Sequence, residues 1–108
     1  MRLIKLDTNH HNYFCIGEQR DAFFLLTMNG ETLVTTDRCP HRGGPLHLGK
    51  PKADAVECPW HNTCITKSYF ERHALPFVRR KSVITIMLEG RSEDTQIDFL
   101  QRRIIANE

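Results

Sequence analysis

The 108-residue sequence is short of the features that mark membrane, secreted or nucleic-acid-binding chains. No apolar run approaches the ~20 residues needed to cross a bilayer, so no membrane span is expected. The opening MRLIKLDTNHHNYF lacks the apolar core of a secretory signal, which points to a cytoplasmic protein. Net charge is only +2 with histidines neutral, too little to favour nucleic acid or an anionic membrane as partner. Internal repeats, low-complexity tracts and linkers are also missing, so residues 1–108 read as one domain. An apolar fraction of 40% and a charged fraction of 26% are those of an ordinary folded chain and argue against disorder. Four cysteines in a reducing compartment point to thiols or metal ligands rather than disulfides.

Strand signals dominate what is present. Ala22 to Met28 is an apolar run, Asn29-Gly30 follows, and Thr32 to Thr36 alternates. Asn-Gly tolerates positive φ at both central positions of a two-residue type I′ turn, so a β-hairpin is predicted. Leu3 to Leu6 and Tyr13 to Ile16 are short β-like pieces. Ser82 to Leu88 is β-branched and apolar on both faces, which suggests a buried strand ending at a Glu89-Gly90 turn. In the tail, a closing strand to about Leu100 is expected, then an irregular or helical end. Between Asp37 and Arg80 periodicity gives way to glycine, proline, cysteine and histidine. A loop-rich stretch of ~40 residues is unusual unless something else organises it. The fold class is therefore all-β: a small antiparallel β domain with a loop-rich insertion.

Two Cys/His pairs supply the organiser. The first is Cys39 and His41 in CPHRGGPL; the second is Cys58 and His61 in CPWH. Each opens with Cys-Pro, and proline fixes φ, so each loop is partly rigid beforehand. Three readings stand at this point. One takes them as loop residues without a ligand role, although two such pairs on proline-containing turns are improbable by chance. They suit a structural Cys₂His₂ zinc site, although zinc-binding chains usually pair cysteine with cysteine and histidine with histidine. Or they hold a two-iron cluster, with one thiolate and one imidazole contributed by each loop.

The spacing C-x-H followed by C-x-x-H resembles the motif of the Rieske [2Fe-2S] family. The likeness runs from roughly Tyr13 to Leu88, includes the Ala74-Leu75-Pro76 return, and leaves the tail after Gly90 uncovered. The resemblance implies one Rieske-type [2Fe-2S] cluster bound by Cys39, His41, Cys58 and His61, on loops at about 37–48 and 56–66. It assigns Cys39 and Cys58 to the inner iron. His41 and His61 fall on the outer iron, their second ring nitrogens facing solvent. The family's respiratory form adds a disulfide between the cluster loops. Gly44 and Trp60 stand at those positions here, so the chain looks like the soluble ferredoxin, oxygenase and nitrite-reductase branch.

Other positions refine the comparison. High-potential relatives carry serine and tyrosine after the second histidine, where this chain has Thr63 and Ile65. A missing hydroxyl at Ile65 points to the low end of the Rieske range. Asn62 replaces the family's usual glycine and tolerates left-handed backbone better than most residues. Cys15 and Cys64 are expected to be packed, non-ligating thiols, His47 a solvated loop histidine, and Trp60 a packing plate over the loop. His10, His11 and His73 receive no role.

A cluster fully ligated by four side chains carries one electron and offers no open site to a substrate. No triad for a separate catalytic iron is evident. The expected function is non-enzymatic: a Rieske ferredoxin, the component that passes electrons from a reductase to an oxygenase-type partner such as a dioxygenase. The alternative is the small subunit of a nitrite reductase-like complex, whose partner is a large reductase subunit. Arg42 and the Arg79-Arg80-Lys81 run suggest an acidic docking patch on at least one partner.

Overall fold

The computed structural model describes residues 1–107. The chain runs through β1 (Arg2–Asp7), β2 (Tyr13–Ile16), β3 (Asp21–Met28) and β4 (Glu31–Thr36). It continues through the short β5 (Lys50–Pro51), β6 (Ala55–Glu57) and β7 (Cys64–Thr66), and then a helix, α1 (Lys67–Arg72). The described part closes with β8 (Phe77–Arg80), β9 (Val83–Leu88) and β10 (Ile97–Leu100). These strands form three antiparallel sheets, ordered β1-β9-β8, β10-β2-β3-β4 and β5-β6-β7. The all-β fold class holds.

The hairpin forms where the sequence places it. Met28 pairs with Glu31, and Asn29 and Gly30 both have positive φ, 53° and 79°. That is the backbone of a type I′ turn, whose twist matches the strands it joins. The closing strand ends at Leu100 as expected, followed by a 3₁₀ turn at Ile105–Asn107.

The four-stranded sheet is the middle layer, and alternation along β2 shows why its sequence is apolar throughout. Phe14 and Ile16 join Ile4, Leu6, Ile84, Ile86 and Leu88 in one core, against the first sheet. Tyr13 and Cys15 face the other way, into a second core with Phe24, Leu26, Leu46, Val56 and Phe70. Cys39 and Cys58 belong to that second core. In β9 only one face is covered: Ile84, Ile86 and Leu88 are buried, while Val83, Thr85 and Met87 are half-buried. Its apolar character on both faces therefore overstates its burial.

The stretch from Asp37 to Arg80 is more regular than its composition suggests. It contains β5 to β8 and α1. Strands of two and three residues are too short to show a period, and α1 buries one side chain, Phe70. Phe70 is fully enclosed, and its carbonyl accepts a hydrogen bond from the Thr35 hydroxyl at 2.8 Å, which ties the helix to β4. Among the described residues no helix is long and apolar enough to cross a membrane.

Candidate metal centre

Both Cys/His pairs lie on tight connections that leave the second core. The first loop follows β4 and the second joins β6 to β7. Their backbones share one frame despite unequal spacing. In the first, the Cys39 N–H donates to the Gly44 carbonyl at 2.9 Å, and the Gly43 N–H donates back to the Cys39 carbonyl at 2.8 Å. In the second, the Cys58 N–H donates to the Thr63 carbonyl at 2.8 Å, and the Asn62 N–H donates to the Cys58 carbonyl at 2.9 Å. Gly43 and Asn62, each four residues after its cysteine, have φ of 76° and 56°.

This frame sorts the donors by depth. Cys39 and Cys58 are 1% and 0% exposed, whereas His41 and His61 are both exposed. All four cysteines are free thiols. The loops approach closely at Gly44, where an added Cβ would lie 2.9 Å from Cys58 Sγ and 3.3 Å from Trp60 Cδ2. Real Cβ atoms do not tolerate the first of these distances, so the second sulfur rests against bare backbone of the first loop.

Such a donor set fits a two-iron cluster: two buried sulfurs and two exposed imidazoles, supplied by paired loops of one geometry. Each loop supplies one cysteine and one histidine, as a Rieske centre requires, whereas zinc-binding chains usually pair cysteine with cysteine and histidine with histidine.

Several neighbours differ from expectation. His47 is not a solvated loop residue: it is 5% exposed, with its ring Nδ1 2.8 Å from Asp37 Oδ2. Cys64 is not packed; it is exposed on β7, opposite Glu57. Trp60 does lie over Gly44, yet it remains 60% exposed and stands at 89° to the His61 ring, with centroids 6.4 Å apart. Cys15 is buried as expected. Ile65 is buried opposite Val56, and Thr63 contributes its carbonyl to the frame of the second loop.

Two polar groups beside the loops carry no motif that would reveal them. Asp37, 6% exposed, accepts hydrogen bonds from the Tyr13 hydroxyl and the His47 N–H. The Tyr69 hydroxyl donates to the Arg38 carbonyl at 2.9 Å. Burial raises the Tyr69 phenol above its ordinary range, and negative charge at Cys39 raises it further, against Arg72 and Arg38. An aspartate two residues before the first cysteine is the one signal the sequence offers, and it reads equally well as a turn residue.

Sheet, paired loops and donor set together define a small iron–sulfur electron-transfer domain. The profile of the Rieske [2Fe-2S] domain matches residues 4–80, and the chain belongs to that family. Its cofactor is a Rieske-type [2Fe-2S] cluster, a one-electron carrier. Over 32 residues, 30% of this chain, it is 50% identical to the oxygenase component of chloroacetanilide N-alkylformylase from Rhizorhabdus wittichii (strain DC-6 / KACC 16600). That stretch covers 9% of the relative's length. No solved structure matches.

Proposed function

We propose that Cys39, His41, Cys58 and His61 hold the cluster and that the chain acts as a Rieske ferredoxin. In this role it takes electrons from a reductase and delivers them to an oxygenase-type partner. The supporting observation is the difference in burial among the donors, with both sulfurs buried and both imidazoles exposed. When bound, the cluster supplies one-electron redox chemistry and leaves no coordination position for a substrate. The buried cysteines keep water from the sulfur side. The exposed His41 and His61 make a short exit through which a docked protein receives the electron.

The surface around them is set for protein contact. Pro40 to Gly43 and Pro59 to Asn62 are all exposed. No acidic residue occurs from Arg38 to Ala53 or from Cys58 to Phe70, while Arg38 and Arg42 are exposed beside the first loop. An exposed tryptophan within a cationic rim is the composition of an interface anchor. It favours a partner with a carboxylate-bearing docking face.

A second reading, a fixed subunit of a nitrite reductase-like complex, draws on another surface. On the outer face of the first sheet, Leu3 and Val78 are 58% and 65% exposed, and Leu3 stands opposite Met87. Apolar residues there suit a permanent neighbour. Co-purification with a large subunit separates the two roles.

Electron paramagnetic resonance of the dithionite-reduced, cluster-reconstituted protein tests the assignment, with couplings to two imidazole nitrogens as the expected result. His61→Cys should abolish or transform that spectrum, and His73→Ala should leave it unchanged. A spectrum without nitrogen coupling, or one that His61→Cys leaves untouched, rejects the ligand set.

A further inference from the structure

The first cluster loop is closed at its base by side chains that the ligand set does not use. Asp37 precedes Cys39 by two residues, His47 follows His41 by six, and the two meet in the core at 6% and 5% exposure. The His47 backbone N–H donates to Asp37 Oδ1 at 2.7 Å. Its ring Nδ1 lies 2.9 Å from Oδ1 and 2.8 Å from Oδ2, so that nitrogen carries a hydrogen facing the carboxylate. The Tyr13 hydroxyl donates to Oδ2 from β2. The main chain repeats the closure: the Leu46 N–H donates to the Asp37 carbonyl at 3.4 Å, and Arg38 bridges Pro45.

A buried carboxylate is costly unless its lone pairs are met, and apolar residues of similar volume often stabilise a core at least as well. What three converging donors add is direction. They fix one rotamer of Asp37, one tautomer of His47 and one separation between the two ends of the loop. Burial, and then the neighbouring Asp37 carboxylate, hold the Tyr13 phenol far above its ordinary range, so it remains a donor. The Arg102 guanidinium covers the ring of Tyr13, 4.8 Å from its centroid.

We propose that Asp37 and His47, with Tyr13, form a positioning clasp for the cluster, setting the placement of Cys39 and His41 and through it the retention and reduction potential of the centre. This rests on the ligand assignment above. Groups that orient metal ligands from behind affect metal affinity by about 10–100-fold when removed. Asp37 acts through the loop it closes and is a positioning residue, not a ligand.

The test compares the native protein with Asp37→Asn and the milder Tyr13→Phe. In the cluster-free chain, amide exchange at Leu46 and His47 should rise about tenfold in Asp37→Asn and about threefold in Tyr13→Phe, with Ile84 and Ile86 unchanged. In the reconstituted protein, cluster loss to a chelator should accelerate about tenfold in Asp37→Asn. Poised at the native midpoint, the reduced-to-oxidised ratio should depart from one by at least threefold, with altered resonance anisotropy. If Asp37→Asn does not fold, Tyr13→Phe carries the test alone. A variant that merely melts earlier, with native exchange at Leu46 and His47 and a native ratio, overturns the clasp. A native protein without a Rieske resonance removes the ligand assignment instead, and the exchange measurement still decides whether the loop is held this way.

Discussion

Gly43 and Asn62 occupy the same place in two copies of one loop. Each stands four residues after a cysteine, donates its N–H to that cysteine's carbonyl, and adopts positive φ. Asparagine is among the few side chains that enter this region at small cost, and the second loop therefore manages without glycine. Asn62→Gly should leave stability nearly unchanged. Gly43→Ala should cost about 1–2 kcal/mol, and Asn62→Val should cost more, because a β-branched residue is an outlier there. Denaturant unfolding of the reconstituted variants gives the order.

Gly44 serves a different need, since its backbone lies where a side chain would strike Cys58 Sγ. Gly44→Ala should reduce iron and acid-labile sulfide per chain after reconstitution while the far core stays folded. The assay is metal and sulfide content alongside the circular dichroism of the cluster-free protein. Full cluster content in this variant would show that the loops separate freely.

Ile65 is buried, and the family resemblance sets it where a hydroxyl is expected in high-potential members. Fewer hydrogen bonds to the cluster sulfurs leave the added electron less stabilised. The midpoint should lie roughly between −150 and 0 mV, the low end for Rieske centres. Redox titration followed by resonance amplitude checks this, and a midpoint near +300 mV would contradict it.

Tyr13 makes stability depend on alkaline pH. Its folded phenol titrates well above the unfolded value near 10, first through burial and then through Asp37. The contribution is complete below about pH 10, where both states keep the proton. Above that the unfolded chain releases it first, so stability falls as pH rises, by up to about 1 kcal/mol per pH unit. Tyr69 is shifted in the same direction. Denaturant unfolding between pH 9 and 11 should show this slope, and Tyr13→Phe should flatten it.

The cationic rim predicts how electron transfer responds to salt. Oxidation of the reduced protein by plastocyanin, an acidic copper protein, should slow as ionic strength rises. Oxidation by cytochrome c, a basic one, should quicken. Replacing Arg38 and Arg42 with glutamate should narrow or reverse the contrast in stopped-flow traces. Indifference of both rates to salt would remove the argument for an acidic partner.

The ligand candidates and most strands were legible because each rests on a local rule. Asn29-Gly30 dictates its turn, β2 is too apolar for an exposed strand, and the Cys/His spacing repeats with one residue's difference. What escaped depends on contacts between distant positions. α1 hides because Phe70 alone faces inward. His47 sits in a short glycine-flanked loop that looks solvated, and only Asp37, ten residues earlier, shows what holds it in the core. Cys64 misled in the opposite sense. Apolar in character, it falls on the outward register of β7, one residue before the inward Ile65. A three-residue strand gives no alternation from which to learn that.

β2 is a shared wall, with Phe14 and Ile16 serving one interior and Tyr13 and Cys15 the other. Neither half can soften without exposing the back of its neighbour. Free energy gained by binding a cluster on the paired loops should therefore reach the far sheet, so that the two cores melt together and at a higher temperature when the cluster is in place.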